Sequence, residues 1–180
     1  PDILDLKPDY IYLPLQEISD NADVIGSLIR KGVRIAAVLP RIAFDSEWEK
    51  LLGRLKKAKS AGVRELVCTN IGQPRLLREL GFGLRGDFGL NIMNSQSIRA
   101  LKEMGLGACT LSFEMTLPQI RDLSYILPAE MFVYGRLPLM ITENCVLRRL
   151  DGSGCPCDGG PVYITDKTGR SFPIYKEEGC

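Results

Sequence analysis

Residues 34–69, RIAAVLPRIAFDSEWEKLLGRLKKAKSAGVRELVCT, decide the fold of this chain. The stretch starts with an apolar run at 34–39, continues in a helical pattern at 46–61 and ends in a second run at 65–69. The first run is apolar at successive positions, which is typical of a strand buried on both faces of a parallel sheet. In the helical pattern, Trp48 and Leu55 keep helical spacing while lysines fill the opposite face. The stretch therefore predicts a strand, a crossover helix and a parallel strand.

The same unit recurs along most of the chain, and glycines close the helices at positions where a left-handed backbone is favoured. Strands are predicted at 10–15, 34–39, 65–69, 86–93, 108–113 and 131–134. Helices are predicted at 20–31, 46–61, 74–80 and 95–104, with a fifth after Thr116. A closed eight-stranded α/β barrel needs about 250 residues. Six such units therefore indicate either an open α/β sheet or an incomplete barrel without its first two strands, and we favour the barrel.

The last part of the chain has a different character. Residues 142–160 lack a helical period and are rich in Gly, Cys and Asp, whereas 162–165 and 171–175 read as a β-hairpin. We therefore expect two domains, a partial (βα) barrel at 1–140 and a Cys-rich segment with a β-hairpin at 141–180.

Composition excludes several classes of function. The chain has 180 residues and no histidine, which removes the usual general base and every histidine-based nucleophile triad. A formal net charge of +1 makes nucleic-acid binding through bulk charge a poor default. No run is long and apolar enough to span a bilayer, and Pro1 opens no signal peptide, so we expect a cytoplasmic protein without membrane contact. The absence of an initial Met and the final Cys180 suggest a piece of a longer polypeptide.

Candidate substrate-binding residues follow the strands, because loops at the carboxyl ends of parallel strands form the active face. Besides Arg41, the candidates are Asn94, Glu114 and Arg136. Asn94 also suits the N-cap of the following helix, which is the more ordinary interpretation. Glu114 and Arg136 are candidate catalytic residues too, although Arg136 could simply neutralise Glu114.

The six cysteines fall into two groups. Cys68 and Cys109 lie in apolar strands and are expected in the core. The other four follow the barrel with the spacing C-x9-C-x-C-x22-C, a number that suits a zinc site or an iron–sulfur cluster; they are Cys145, Cys155, Cys157 and Cys180. Free thiols and a disulfide remain alternatives. Cys145 is also a candidate nucleophile because cationic residues lie near it in sequence.

The run EMFVYGRL at 130–137, followed by Cys145, resembles the signature of peptidase family U-32, the collagenase-like peptidases. Glu130, Phe132 and Gly135 match that signature by position, and 164–174 resemble the hairpin that follows it in the family. The resemblance implies a modified TIM-like barrel. Members are peptidases of unassigned catalytic type, and other branches resemble iron–sulfur proteins that hydroxylate RNA bases or quinone precursors without oxygen.

The chain departs from the family pattern at the metal site. Pro138 stands where the first motif cysteine is expected, so Cys155 or Cys157 would have to replace that ligand. We therefore predict a U-32 family peptidase with a cysteine metal or iron–sulfur site near the barrel mouth. An iron–sulfur-dependent modifying enzyme and a non-catalytic binding module are the alternatives. The substrate would be a peptide, an RNA or a small molecule, and the partner a second copy or the rest of the same protein.

Overall fold

The structure is a computed structural model, and it describes residues 3–142, 147 and 162–175. The chain divides into two compact units, Pro1–Tyr134 and Gly135–Cys180. The predicted domain boundary at residue 140 falls a few residues after this division.

Parallel strands and helices alternate through the first unit. Six strands form one sheet in sequence order, and every pairing in it is parallel. The strands are β1 (Ile11–Pro14), β2 (Ile35–Val38), β3 (Glu65–Cys68), β4 (Gly83–Gly86), β5 (Leu106–Thr110) and β6 (Ala129–Glu130).

Six α-helices are described between and after these strands: α1 (Leu15–Asp20), α2 (Ala22–Arg30), α3 (Trp48–Ser60), α4 (Gln73–Leu77), α5 (Ser95–Glu103) and α6 (Leu117–Arg121). Short 3-10 turns lie at Ile3–Leu6, Asp45–Glu47, Arg78–Leu80 and Phe88–Leu90. Within the described part of the chain, no helix has both the length and the apolar character needed to cross a membrane.

The outer face of the sheet is apolar and carries the helices. Leu66 of β3 is fully buried there, as are Leu55 of α3 and Ile98 of α5. Side chains alternate between the two faces of a strand, so residues in paired positions of neighbouring strands share a face. Ala37, Leu66 and Leu84 are paired in this way and belong to the same apolar core.

The inner face of the sheet is concave, and a hydrogen bond across it shows how strongly the sheet curls. The Tyr12 hydroxyl on β1 lies 2.7 Å from a Glu130 carboxylate oxygen on β6, although these strands stand at opposite ends of the strand order. In a flat sheet, five strand spacings would separate them by about 24 Å. The six parallel strands therefore form an incomplete TIM-like barrel, as the sequence predicts.

Two predicted strands are wrong in position. The strand expected at 86–93 lies at Gly83–Gly86, and the one expected at 131–134 lies at Ala129–Glu130. At the sixth strand, the apolar run follows the strand at the rim, where Val133 is 83% and Tyr134 96% exposed. Pairing with neighbouring strands decides the strand position here, because β propensity depends strongly on tertiary context.

The predicted helix at 20–31 corresponds to α2, and a further helix that the sequence did not predict, α1, precedes it and meets it at Asn21. The Asn21 amide donates a hydrogen bond to the Glu17 carbonyl oxygen at 2.9 Å, so its side chain competes for the helical backbone. On α2, Val24 is 61% exposed, whereas its neighbour Ile25 is buried.

The second unit contains the predicted hairpin, formed by β7 (Val162–Thr165) and β8 (Ser171–Ile174) in antiparallel pairing. The Asp166 carboxylate accepts hydrogen bonds from the Thr168 hydroxyl at 2.7 Å and the Arg170 N–H at 3.0 Å. These bonds lower the pKa of Asp166. Gly169 has φ +83°, a conformation that favours glycine.

Candidate active site

Asp87 is the carboxylate best placed for chemistry at the carboxyl edge of the sheet. It follows β4 directly, and its N–H donates to the Cys68 carbonyl oxygen at 2.8 Å, which ties it to β3. Its side chain is only 15% exposed and lies 3.6 Å from the Arg41 guanidinium, in the loop after β2. The loops after β2 and β4, which lie on either side of β3, thus bring a half-buried acid and a cation together.

Burial raises the pKa of Asp87, and the negative charge of Glu130 raises it further. The backbone amides of Phe88 and Gly89 and the Arg41 guanidinium act in the opposite direction without cancelling the effect of burial. A carboxyl group with a raised pKa in a strand-end loop is better able both to accept and to donate a proton during a reaction.

Gly89 leaves room for Arg41 beside Asp87. A methyl group in place of its hydrogen would lie 3.1 Å from the Thr69 carbonyl oxygen and 3.5 Å from the Arg41 guanidinium carbon. Any larger side chain would therefore press on Arg41 and on the end of β3. The small residue at this position maintains the close approach of the two loops.

A buried amide holds the loops after β2 and β3 in register. The Gln73 side chain accepts a hydrogen bond from the Thr69 N–H at 2.8 Å and donates one to the Pro40 carbonyl oxygen at 2.7 Å. Because Gln73 and the Thr69 N–H are buried, losing Gln73 would leave this backbone donor without its partner. The Gln73 side chain thus links the loop that carries Arg41 to the end of β3.

Three phenylalanines from different loops meet beside Asp87, and we call them the aromatic rim. The ring of Phe88 packs edge-on against Phe113 at 5.9 Å and Phe132 at 5.4 Å between centroids. Phe113 is 47% and Phe132 39% exposed, and the Arg41 guanidinium lies 4.3 Å from the Phe88 centroid. The rim gives the edge an apolar surface next to the acid.

Below this edge, the concave face carries a group of charged and phenolic side chains that we call the concave-face cluster: Tyr10, Tyr12, Glu65, Arg85 and Glu130. Arg85 lies at its centre and donates to Glu65 at 2.8 Å, to Glu130 at 2.6 Å and to the Tyr12 hydroxyl at 2.7 Å. Tyr10 donates to Glu65 at 2.5 Å, and Tyr12 donates to both Glu130 oxygens.

The electrostatics of the concave-face cluster indicate a stable internal network. Burial and the bond to Glu130 raise the pKa of Tyr12, so this phenol stays protonated. Burial alone would raise the pKa of Glu65, but the hydrogen bonds from Tyr10 and Arg85 outweigh it and the pKa is lowered. One guanidinium serves two carboxylates here, a geometry that suits arginine and not lysine.

The predicted substrate-binding residues lie in exposed places. The Asn94 side chain accepts from the Ser97 N–H at 2.9 Å and caps α5, which confirms its structural interpretation. Glu114 is exposed in the loop after β5, where its N–H donates to the Ser112 hydroxyl. Arg136 is exposed and belongs to the second unit. Their roles in catalysis or substrate binding stay predictions.

Two of the six cysteines, Cys68 and Cys109, lie where the sequence predicts. Cys68 and Cys109 are free, buried thiols in the core, and burial raises the pKa of Cys68 to about 12. The predicted metal ligands, Cys145, Cys155, Cys157 and Cys180, lie outside the described residues. Within the residues that are described, no group of three or more Cys, Asp or Glu side chains is arranged to hold a metal ion. Among the described residues, Cys68 and Cys109 therefore lack the neighbouring ligands that a metal centre needs.

Asp87 was missed by sequence reasoning, and the cause is the misplaced fourth strand. A strand at 86–93 would put Asp87 inside it, whereas the actual end of β4 at Gly86 puts Asp87 first in the loop. A sequence signal for the true position of β4 is the pair of glycines at its two ends, Gly83 and Gly86. Glycine allows the backbone of a neighbouring strand to approach closely, so a short strand that ends at Gly86 could have been predicted.

Comparison with known proteins agrees with this architecture. No curated protein matches the chain. The family model described as Peptidase family U32 matches residues 16–154, which extend from α1 past Cys145 and stop short of the last three cysteines. Since the match covers most of the chain, including Arg41, Asp87 and the three phenylalanines of the aromatic rim, this protein belongs to peptidase family U32.

Proposed function

We propose that this chain hydrolyses peptide bonds at the carboxyl edge of its sheet, with Asp87 as the acid–base group. The single observation that carries the proposal is the placement of Asp87, a shielded carboxyl group with a raised pKa, in a strand-end loop. Family membership supports the reaction class. The lack of histidine in the chain leaves a carboxyl group as the natural proton carrier.

The proposed reaction needs one water molecule and one proton transfer in each direction. The Asp87 carboxylate accepts a proton from water as the water oxygen bonds to the carbonyl carbon of the substrate. The protonated Asp87 then gives that proton to the amide nitrogen as the C–N bond breaks. Arg41, which lies 3.6 Å from Asp87, supplies positive charge where the carbonyl oxygen becomes negative.

Substrate contacts would come from the same edge. The aromatic rim offers apolar surface to a peptide side chain, and Asn94 and Glu114 keep their predicted role as polar contacts. A peptide fits this combination because it presents an apolar side chain beside a hydrogen-bonding backbone.

The test is peptide hydrolysis by an Asp87→Asn variant, which keeps the size of the side chain and removes its proton transfer. We expect kcat to fall by about 100-fold or more, as for loss of a general acid–base group. Asp122→Asn is the matched control, because Asp122 is an exposed carboxylate whose side chain is 73% accessible. Equal activity in the Asp87→Asn and wild-type proteins would refute the role of Asp87.

We also propose, on sequence grounds, that Cys145, Cys155, Cys157 and Cys180 hold zinc or an iron–sulfur cluster. Support comes from their number and from the position of the other two thiols, which are free in the hydrophobic core, where the described residues group no further ligands around them. Metal analysis of anaerobically purified protein is expected to find zinc or iron in stoichiometric amount. Metal-free protein that alkylates at all four tail cysteines would contradict this proposal.

A further inference from the structure

Glu130 lies where the chain leaves the sheet for the aromatic rim, and three strands hold its side chain. Its oxygens accept hydrogen bonds from Arg85 of β4 at 2.6 Å, from Tyr12 of β1 at 2.7 and 2.8 Å, and from Thr110 of β5 at 3.3 Å. Both carboxylate oxygens are therefore engaged with protein donors, which is the environment of a fixed group rather than a reacting one.

The guanidinium of Arg85 likewise donates hydrogen bonds from all three of its nitrogens. Its two terminal nitrogens bond Glu65 and Glu130, and its Nε bonds the Tyr12 hydroxyl. Its side chain is only 14% exposed. A planar guanidinium can reach both carboxylates at once, so Arg85 fixes the direction of the Glu130 side chain.

The segment after Glu130 is held at two points. The Glu130 carbonyl oxygen accepts from the Leu111 N–H at 2.8 Å, which pairs this end of β6 with β5. Two residues later, the ring of Phe132 packs against Phe88, the residue that follows Asp87. The position of Glu130 therefore determines where the Phe132 ring lies relative to Phe88 and Asp87.

We infer that Arg85 is a positioning residue, which fixes Glu130 from across the concave face and thereby holds the segment bearing Phe132 against the loop bearing Asp87. This inference rests on the proposed function, because Asp87 is the group beside which the segment is placed. Arg85 itself stays below the edge and takes no part in proton transfer.

The test compares four variants of the full chain. Arg85→Met removes the positive charge and all hydrogen bonds from Arg85 to Glu65 and Glu130. Arg85→Lys keeps the charge but cannot bond both carboxylates with a planar guanidinium. Tyr12→Phe removes the hydroxyl that bonds Glu130 and keeps the ring. Arg34→Met is the matched control, because Arg34 is largely exposed and contacts Tyr10 and Glu65 instead of Glu130. Activity is expressed per folded molecule, with folding followed by circular dichroism.

We expect Arg85→Met to lower kcat by about 100-fold and Tyr12→Phe by about tenfold, because small misplacements of this kind are costly. Arg85→Lys should recover part of the loss, and Arg34→Met should stay within about twofold of wild type. The acid limb of the pH profile should move to higher pH in Arg85→Met. Glu130 then faces Asp87 without its guanidinium, while Arg41 is unchanged on the other side.

Hydrogen exchange of the Leu111 amide gives a readout independent of catalysis. Since this amide bonds the Glu130 carbonyl oxygen, it should exchange about tenfold faster in Tyr12→Phe than in Arg34→Met. The inference is overturned if Tyr12→Phe and Arg85→Lys both have the activity, the pH profile and the Leu111 exchange rate of the wild type. This outcome is decisive even if Arg85→Met fails to fold. If wild-type protein cleaves no peptide, the proposed function fails and Leu111 exchange alone decides: faster exchange supports positioning, and equal exchange overturns it.

Discussion

The two faces of the sheet differ in chemical character, because the outer face is apolar and the concave face carries charged and phenolic side chains. On the outer face, aliphatic side chains such as Leu66 and Leu84 pack under the helices in one hydrophobic core. On the concave face, Arg85 of β4 joins two glutamates and a tyrosine that come from three other strands. The outer face owes its stability to the removal of apolar surface from water, and the concave face to specific bonds.

This difference teaches which face can tolerate change. Aliphatic contacts are non-directional, so the outer face accepts substitutions that conserve volume. The hydrogen bonds and ion pairs of the concave-face cluster depend on direction, and removing one member leaves charged groups without their partner. The candidate acid Asp87 lies at the rim of this sheet, where burial and, to a smaller extent, the negative charge of Glu130 on the concave face raise its pKa.

The largest effect on stability is expected from Leu66→Ala on the outer face. Leu66 is fully buried, and truncation removes transfer free energy and leaves a cavity. The free energy of unfolding should fall by about 2–5 kcal/mol. Denaturant titration measures this loss, and Leu76→Ala in the exposed part of α4 is the control, since Leu76 is 56% exposed. Equal losses in both variants would contradict the proposed contrast between core and surface.

A smaller and pH-dependent effect is expected from Glu65→Gln on the concave face. Hydrogen bonds from Tyr10 and Arg85 outweigh burial and lower the pKa of Glu65, so its carboxylate stabilises the folded state above its unfolded pKa. Because Glu65 is partly exposed and therefore screened, we expect a loss of only about 1 kcal/mol at pH 7.

The sign of the pH dependence separates this effect from simple packing damage. The stability contributed by Glu65 is lost as pH falls below its unfolded pKa of about 4.3 and through its lower folded value. Wild type and Glu65→Gln should therefore converge in unfolding free energy under acid conditions. A difference that stays constant from pH 7 to pH 3 would show that the bonds of Glu65 do not stabilise its charged form.

Much of the fold could be predicted from local pattern. The alternation of apolar runs and helical periods predicts parallel strands and crossovers, because burial on both faces requires apolar residues at successive positions. The prediction failed at β4 and β6, which contain Gly83–Gly86 and Ala129–Glu130. These short strands lack an apolar run of their own, and they are defined by hydrogen bonds to their neighbours.

Less of the candidate site could be predicted. Arg41 follows its strand as expected, and Asn94 has the cap signal that the structure confirms. Asp87 was hidden by the misplaced end of β4, and the link between Tyr12 and Glu130 spans 118 positions of sequence. No local pattern reveals a pair so distant, because nothing in either neighbourhood encodes the curl of the sheet.

The sequence by itself determined the parallel αβ order, the burial of Cys68 and Cys109 and the hairpin at its end, since each depends on the hydrophobicity or turn chemistry of adjacent residues. Only the tertiary structure decided that Arg85 meets both glutamates and that Asp87 is shielded beside Arg41. Those contacts exist because the curved sheet brings distant strands within hydrogen-bonding range, and curvature is a property of all six strands together.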